Sequence, residues 1–517
     1  MENFLQTETV FIELLLVASL VAIAVRRIQL PYTVALVIVG LALTLFGSIR
    51  FELTKELILV LFLPPLLFEA AFHVEFQLLR QSLKTILVLA IPGVMVSAFI
   101  VGGIVAASTS LTLAIALVFG ALIVATDPVA VTALFSALGA PKKLTTIIEG
   151  ESLFNDGAAV VLFNIVLAAT LTGKFSLAEG ALELVWVSAG GIGVGLGLGW
   201  LAVQIIARVD DYLIETTITA VLAFGSFILA EQVHVSGVLA VVAAGILNGN
   251  IGPKGMSATT KVVLFNFWEY LAFLVNSLIF LLIGLEVELN LLATHLGAIV
   301  IAFAAVTLAR VVTVYGLSWL SNRFSAQEEI PLIWQHVLTW GGLRGAVSLA
   351  LALGLPLSLG QDRETILAMT FGVVLIMLLL QATTMEWLLK RLGLVGRPDL
   401  EVRYENQRSE LLTLRAARRH LVEMHERGEL SAHTWETLQP EITAAESEAR
   451  SQLLELVKNH PTLEELELVS ARRELLLTRR AVLNDLRRDG FIEEDTHEEL
   501  AAKFDQALED LREKEIH

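Results

Sequence analysis

Apolar runs about as long as a bilayer is thick follow one another through the first 400 residues, and no other property restricts this chain so severely. A helix needs ~20 mostly apolar residues to cross the hydrocarbon core. Polar punctuation divides the region into thirteen spans, roughly 9–25, 31–47, 55–72, 84–107, 112–137, 145–171, 181–207, 213–230, 235–248, 262–285, 294–318, 331–355 and 365–389. The ninth is short. With 55% hydrophobic and 17% charged residues and a mean hydropathy of +0.72, the chain has more apolar surface than a soluble fold buries. The net charge of −17 divides into −7 for residues 1–400 and −10 for residues 401–517. An all-α polytopic membrane domain, 1–398, is therefore followed by an acidic tail, 399–517. The absence of a basic stripe argues against nucleic acid as a partner, and the absence of Cys excludes a disulfide scaffold. The N-terminal MENFLQTETV has two glutamates and no Lys or Arg, unlike a signal peptide, so the first span is expected to be retained.

Orientation follows from the basic residues between spans. With the N-terminus outside, the cytoplasmic connections hold Arg26, Arg27, Arg80, Lys84, Lys142, Lys143, Arg208, Lys254, Lys261, Arg323, Lys390, Arg391 and Arg397. The external ones hold Arg50, Lys55, Lys174 and Arg363. That bias places the tail in the cytoplasm. In the tail, Leu411–Glu426, Glu441–Lys458, Leu463–Arg488 and Asp495–Glu513 mix Leu, Ala, Glu and Arg at helical spacing and read as a helical regulatory unit. Its Arg doublets, such as Arg418–Arg419 and Arg487–Arg488, read as a solvated face, with contact to anionic lipid the alternative.

Ionisable residues inside apolar spans are costly unless paired, solvated or functional. Span five contains Thr126-Asp127-Pro128. Proline there removes a donor and clashes with the preceding turn, so a broken helix with free carbonyls is expected, the arrangement in which transporters build cation sites. A plain proline kink is the simpler alternative, but span six repeats the oddity. There Glu149, Ser152 and Asp156 share one helical face, with Glu151 and Asn155 on an adjoining one. Clustered oxygens suit a hard cation, and without Cys or clustered His a soft metal is disfavoured. Crowded carboxylates also let a proton compete with a metal ion for one place.

Two arginines, Arg310 in span eleven and Arg344 in span twelve, stay charged wherever they are buried and so require carboxylates or carbonyls. Gly341, Gly342 and Gly345 around Arg344 predict a second interrupted helix. Interruptions in spans five and twelve fit two six-span repeats joined by span seven. Pro64-Pro65 is expected to break or kink span three, with Glu69 either lining a cytoplasmic vestibule or lying at the interface. His73 and Glu75 read as loop residues that tune pH response at most, and Glu286 and His336 as packing or boundary residues. The glycines at 191, 193, 195, 197 and 199 read as close helix packing. No nucleotide-binding motif occurs, so coupling is expected to use ion gradients.

Thr126-Asp127-Pro128-Val129-Ala130, then Glu151-Ser152-Leu153-Phe154-Asn155-Asp156-Gly157, then Gly341-Gly342-Leu343-Arg344-Gly345-Ala346, taken in order, resemble the monovalent cation/proton antiporter family. Within it, the resemblance is to the NhaP-type sodium/proton antiporters and their animal sodium/proton exchanger relatives. It covers about residues 10–392. It implies thirteen transmembrane helices in two inverted repeats, crossed interrupted helices five and twelve, and a homodimer whose scaffold stays still while an ion-carrying core moves. It places the exchanged Na⁺, Li⁺ or H⁺ on Asp156, with Asp127, Glu151, Ser152 and Thr126 as further metal ligands and Asn155 in the family's Asn-Asp pair. Asn at that position resembles the electroneutral class. Arg310 would pair with Glu149 or Glu151, and Arg344 matches the arginine beside interrupted span twelve. The expected activity is secondary antiport of Na⁺ or Li⁺ for H⁺ in a bacterial inner membrane, with no cofactor and no enzymatic step. A K⁺/H⁺ antiporter is the alternative. A channel, a non-transporting sensor and a membrane hydrolase are rivals for which the sequence offers no filter, no loss of carboxylates and no base near Ser152.

Overall fold

A computed structural model describes residues 2–25, 30–46, 54–174, 176–209, 211–254, 256, 258–324, 330–394, 399–488, 491–493, 496–497, 500–501, 503–504 and 507–508. Arg26, Arg27, Arg50 and Arg397 from the orientation argument lie outside them, as does most of the helix expected at 495–513. The chain forms two compact units, Met1–Val395 and Gly396–His517, and among the described residues it contains helices and no strand.

In the first unit the helices are α1 (Glu2–Val25), α2 (Tyr32–Phe46), α3 (Leu63–His73), α4 (Phe76–Ser108), α5 (Leu113–Ile123), α6 (Val129–Leu138), α7 (Lys142–Thr172), α8 (Leu177–Ile206), α9 (Tyr212–Gln232), α10 (Gly237–Ile251), α11 (Ala258–Leu285), α12 (Leu289–Thr294), α13 (Leu296–Phe324), α14 (Leu332–Trp340), α15 (Ala346–Leu353), α16 (Gln361–Met377) and α17 (Thr383–Arg391). Among the described residues, seven helices are long and apolar enough to cross a membrane, and six shorter apolar helices accompany them. Hydrogen-bonding side chains start several of them: Thr112 for α5, Asp211 for α9 and Ser236 for α10. Each satisfies an amide that the first turn leaves without a partner.

Pro64-Pro65 does not break its helix. A π-turn at Leu57–Phe62 immediately precedes α3, and its wider turn makes room where proline would strike the preceding carbonyl. A second π-turn, Leu378–Ala382, joins α16 to α17. The short ninth span is α10, and residues 235–245 are all buried. A helix enclosed by its neighbours does not need to match the bilayer on its own. The alternating glycines of α8 divide accordingly. A Cβ on Gly191, Gly195 or Gly199 would meet Ser236, Ala240 or Ala244 along α10, whereas Gly193 and Gly197 face open space.

The helices pack as two groups. α2 lies on α11, and α10 on α3, α8 and α9; in the other group α4 lies on α5, α7 and α13, and α13 on α16. Within groups, polar side chains link helices, as in Tyr32 Oη to Ser277 Oγ at 2.8 Å and Ser97 Oγ to Thr313 Oγ1 at 2.8 Å. Such bonds hold helices together where lipid gives apolar contacts no advantage.

The second unit contains α18 (Asp399–Glu426), α19 (Ala432–Asn459) and α20 (Pro461–Arg488). Tyr404, Leu411, Ala449, Leu453 and Leu463 form its core, and Glu446 takes both Arg415 and Arg418, at 3.2 and 2.9 Å. All three helices begin before the starts read from the sequence. Pro440 lies inside α19. Both Pro440 and Glu436, whose carbonyl loses its partner, are exposed, so water replaces the missing hydrogen bond.

Candidate functional site

Two helices break inside the first unit, between α5 and α6 and between α14 and α15, and the breaks cross. The amide of Asp127 donates to the carbonyl of Leu343 at 2.9 Å, and Ser348 Oγ donates to the carbonyl of Ala125 at 3.4 Å. Residues 341–350 are all buried, as are 121–126, which is where irregular backbone is tolerated at membrane depth. Asp127 Oδ1 also accepts from the amide of Val129 at 3.0 Å, at the start of α6. Its carboxylate thus lies where the N-terminal ends of α6 and α15 supply partial positive charge.

Gly345 makes this seat possible. A Cβ there would collide with the Asp127 carboxylate. Gly345→Ala is therefore expected to displace Asp127 at an overpacking cost of about 1–3 kcal/mol. Thermal unfolding in detergent checks this: the variant should melt lower, while Gly103→Ala, whose Cβ meets nothing within 4 Å, should not.

α7 brings the remaining oxygens. Ser152 Oγ lies 2.9 Å from Thr126 Oγ1 and donates to the Thr126 carbonyl at 2.5 Å. Asp156 accepts from the Thr126 amide, and its Oδ1 is buried with no partner among the described residues. Thr126, Asp127, Ser152 and Asp156 line one side of a cavity of about 70 Å³. From the other helical group, Leu63, Leu66, Leu67 and Ala70 of α3 and Asn276 and Ile279 of α11 also line it. The cavity thus lies between the two helical groups.

Glu151, expected both beside a metal ion and in an ion pair, is held by the ion pair. Arg310 Nη1 and Nη2 reach its two oxygens at 2.7 and 2.8 Å, and Asn155 Nδ2 adds a bond of 3.3 Å. Glu151 is not among the residues lining the cavity. Arg310 also donates from Nε and Nη2 to the carbonyl of Leu338, at 3.2 and 2.9 Å, covering the C-terminal end of α14. Gly342 allows that approach, since a Cβ on it would lie 2.6 Å from Arg310 Nε. Arg344 is 2% exposed. Its charge acts on Glu151 and Asp156, and its Nε and Nη1 have no partner among the described residues. Asn155 is buried with Oδ1 likewise unpartnered.

Glu149 stands apart from Arg310 and interacts with Glu69, which in turn interacts with Glu269 of α11. His73 Nδ1 lies 3.2 Å from Glu69 Oε1, and His336 shares a hydrogen bond with the Tyr315 hydroxyl. The sequence reading missed the spacing roles of Gly342 and Gly345, the backbone tie through Ser348, and Asn276. The last had a signal: an amide amid apolar residues of span ten, where a polar group is a functional candidate.

Chemically, the site offers two carboxylates, two hydroxyls and backbone carbonyls at the end of a cavity, with a third carboxylate neutralised by a guanidinium. That set has the oxygen chemistry to hold a hard cation or a proton. The family model for the transmembrane sodium/hydrogen exchanger matches residues 14–391. A low-affinity Na⁺/H⁺ antiporter, NhaS1 of Synechocystis, is 39% identical over 471 residues, 90% of this chain and 89% of that one. The Na⁺/H⁺ antiporter ApNhaP of Aphanothece halophytica is 42% identical over 405 residues, 78% of this chain and 76% of that one. Among solved structures, the sodium proton antiporter MjNhaP1 of Methanocaldococcus jannaschii at pH 8 matches with a TM-score of 0.63 at 24% identity, covering 76% of this chain and all of that one.

Proposed function

Because the chain belongs to the transmembrane sodium/hydrogen exchanger family, as an NhaP-type monovalent cation/proton antiporter, we propose that it exchanges Na⁺ or Li⁺ for H⁺, one for one, by alternating access at Asp156. The observation that carries this reading is the unpartnered Asp156 Oδ1 at a cavity between two separately packed helical groups. A cation entering the cavity meets Asp156, Asp127, Ser152 and the backbone of Thr126, which replace its water. The group built on α4, α5, α7 and α13 moves against the other, the ion leaves, and a proton on Asp156 accompanies the return. Glu151 acts through Arg310, holding the crossed breaks together without ligating the ion.

The same reading gives thirteen spans, an external N-terminus, a cytoplasmic regulatory tail and a homodimer in a bacterial inner membrane. The packing supports an inverted repeat. α1–α3 gather with α9–α11 in one group, and α4–α7 with α13–α16 in the other. No cofactor takes part, since both ions are substrates.

Reconstitution into proteoliposomes, with Na⁺, Li⁺ and K⁺ supplied in turn and internal pH followed by a dye, tests the function. Proton release driven by Na⁺ and Li⁺ supports it. Release driven by K⁺ alone would make the protein a K⁺/H⁺ antiporter, and none with any ion would remove the reading. Stoichiometry has its own test. Asn155 carries no second titrating charge, so initial rates should be the same across potentials clamped with valinomycin. A rate that follows the imposed potential would mean unequal charge exchange.

A further inference from the structure

We propose that Asn276 selects the transported ion, its side-chain carbonyl taking a place in the coordination shell of the cation at Asp156 from the opposite wall of the cavity. This rests on the exchange reading above and deepens it. Every oxygen so far assigned to the ion comes from one side, the breaks and α7. The other helical group contributes Leu63, Leu66, Leu67, Ala70 and Ile279 to the lining, with Asn276 the one polar side chain among them.

Asn276 and Ile279 are i and i+3 on α11 and so share a face. The adjacent Ser277 is spent on packing: its hydroxyl bonds Tyr32 Oη at 2.8 Å and the Phe273 carbonyl at 2.5 Å. Asn276 has no such duty and borders the cavity. An amide facing hydrocarbon is costly without a partner, whereas one facing an ion or its water is satisfied.

The dimensions fit. A cavity of about 70 Å³ has room for a few waters, each needing ~10–15 Å³ of such space. A partly dehydrated cation held against the core wall needs oxygen ligands on its other side, because hard cations bind oxygen. Apolar side chains supply none. The Asn276 carbonyl supplies one without adding charge, so the charge balance of the site is unchanged. In this arrangement of the two groups the helices set the distance across the cavity, so a carbonyl carried by α11 meets ions of different radius unequally.

Two substitutions test this in proteoliposomes. Asn276→Leu is close to isosteric and lacks the dipole. It should raise half-saturating Na⁺ by about 3–10-fold, the worth of one ordinary hydrogen-bond-strength contact, change maximal rate less, and bring Li⁺ and Na⁺ responses closer together. Asn276→Gln keeps the carbonyl on a longer stem and should recover most of the affinity while altering the Li⁺:Na⁺:K⁺ order. A merely structural role would not move ion preference. If Asn276→Leu does not purify as a monodisperse protein, Asn276→Ser, which keeps an oxygen but shortens its reach, carries the selectivity test. An active wild-type protein whose folded variants keep both its half-saturation and its ion order overturns the inference. A wild-type protein that exchanges no cation for H⁺ overturns the function, a separate outcome.

Discussion

Asp156→Asn is expected to abolish cation-driven proton release while leaving the protein folded. The amide has the shape of the carboxyl and still accepts from the Thr126 amide, but it brings no negative charge to the cation and carries no exchangeable proton. Ser152→Ala removes one neutral oxygen and should chiefly weaken ion affinity. With proton and cation contending for one group, as the proposed function has it, activity should follow a bell in pH. On the acidic side the proton holds the site, and on the alkaline side cytoplasmic protons are scarce. Under simple competition a tenfold rise in Na⁺ moves the acidic limb down by about one pH unit. The measurement is a Na⁺ titration at several pH values with a pH dye inside vesicles. An acidic limb that ignores Na⁺ would place pH control elsewhere, with His73 beside Glu69 or the tail as the first places to look.

Arg310→Ala should lose most of the folded protein. It strands Glu151, 2% exposed, without its bidentate partner, and removes the donors to Leu338. Breaking a buried pair in this way costs about 3–5 kcal/mol, a large part of a typical total stability. Arg310→Lys should rescue little, since one ammonium does not span two carboxylate oxygens and a carbonyl in a fixed fork. Removing both charges, as Arg310→Met with Glu151→Met, should recover folding relative to Arg310→Ala, because no charge is then left alone. Size-exclusion profiles and unfolding temperatures in detergent distinguish these variants. A normally stable Arg310→Ala protein would deny the pair its structural weight.

Much of this architecture was readable residue by residue. Asp127-Pro128 and the glycines around Arg344 mark both helix breaks, because proline and glycine act locally on the backbone. What a proline does to a helix depends on its neighbours and on solvent. Pro64-Pro65 is accommodated by the π-turn before it, and Pro440 by exposure to water. Which elements meet was harder to read. The sequence demanded a carboxylate for Arg310 but left Glu149 and Glu151 open, since the contact joins residues 159 positions apart. That same contact occupies Glu151, which composition alone made as good an ion ligand as Asp156. The clearance at Gly345 arises only when the two breaks cross, and that at Gly342 only when Arg310 of α13 reaches them; nothing along the chain announces either meeting. Asn276 was overlooked because one amide in span ten looks ordinary until the fold brings it to the lining of the same cavity as Asp156.

The crossed breaks and their tethers make one charged body of Asp127, Glu151, Asp156, Arg310 and Arg344. At full ionisation, three carboxylates and two guanidiniums leave a single negative charge. One Na⁺ cancels it, and so does one H⁺. In the proposed alternating-access cycle, a body loaded either way enters the low-dielectric middle of the membrane neutral, whereas an empty one carries a naked charge there. Even ~4 kcal/mol of desolvation makes that empty crossing about a thousandfold rarer. On this view, coupling needs no gate that senses occupancy. Under the proposed one-for-one exchange, the slip that would dissipate the gradient is suppressed by self-energy, and the surplus of one carboxylate over the arginines matches a single monovalent ion travelling in each direction.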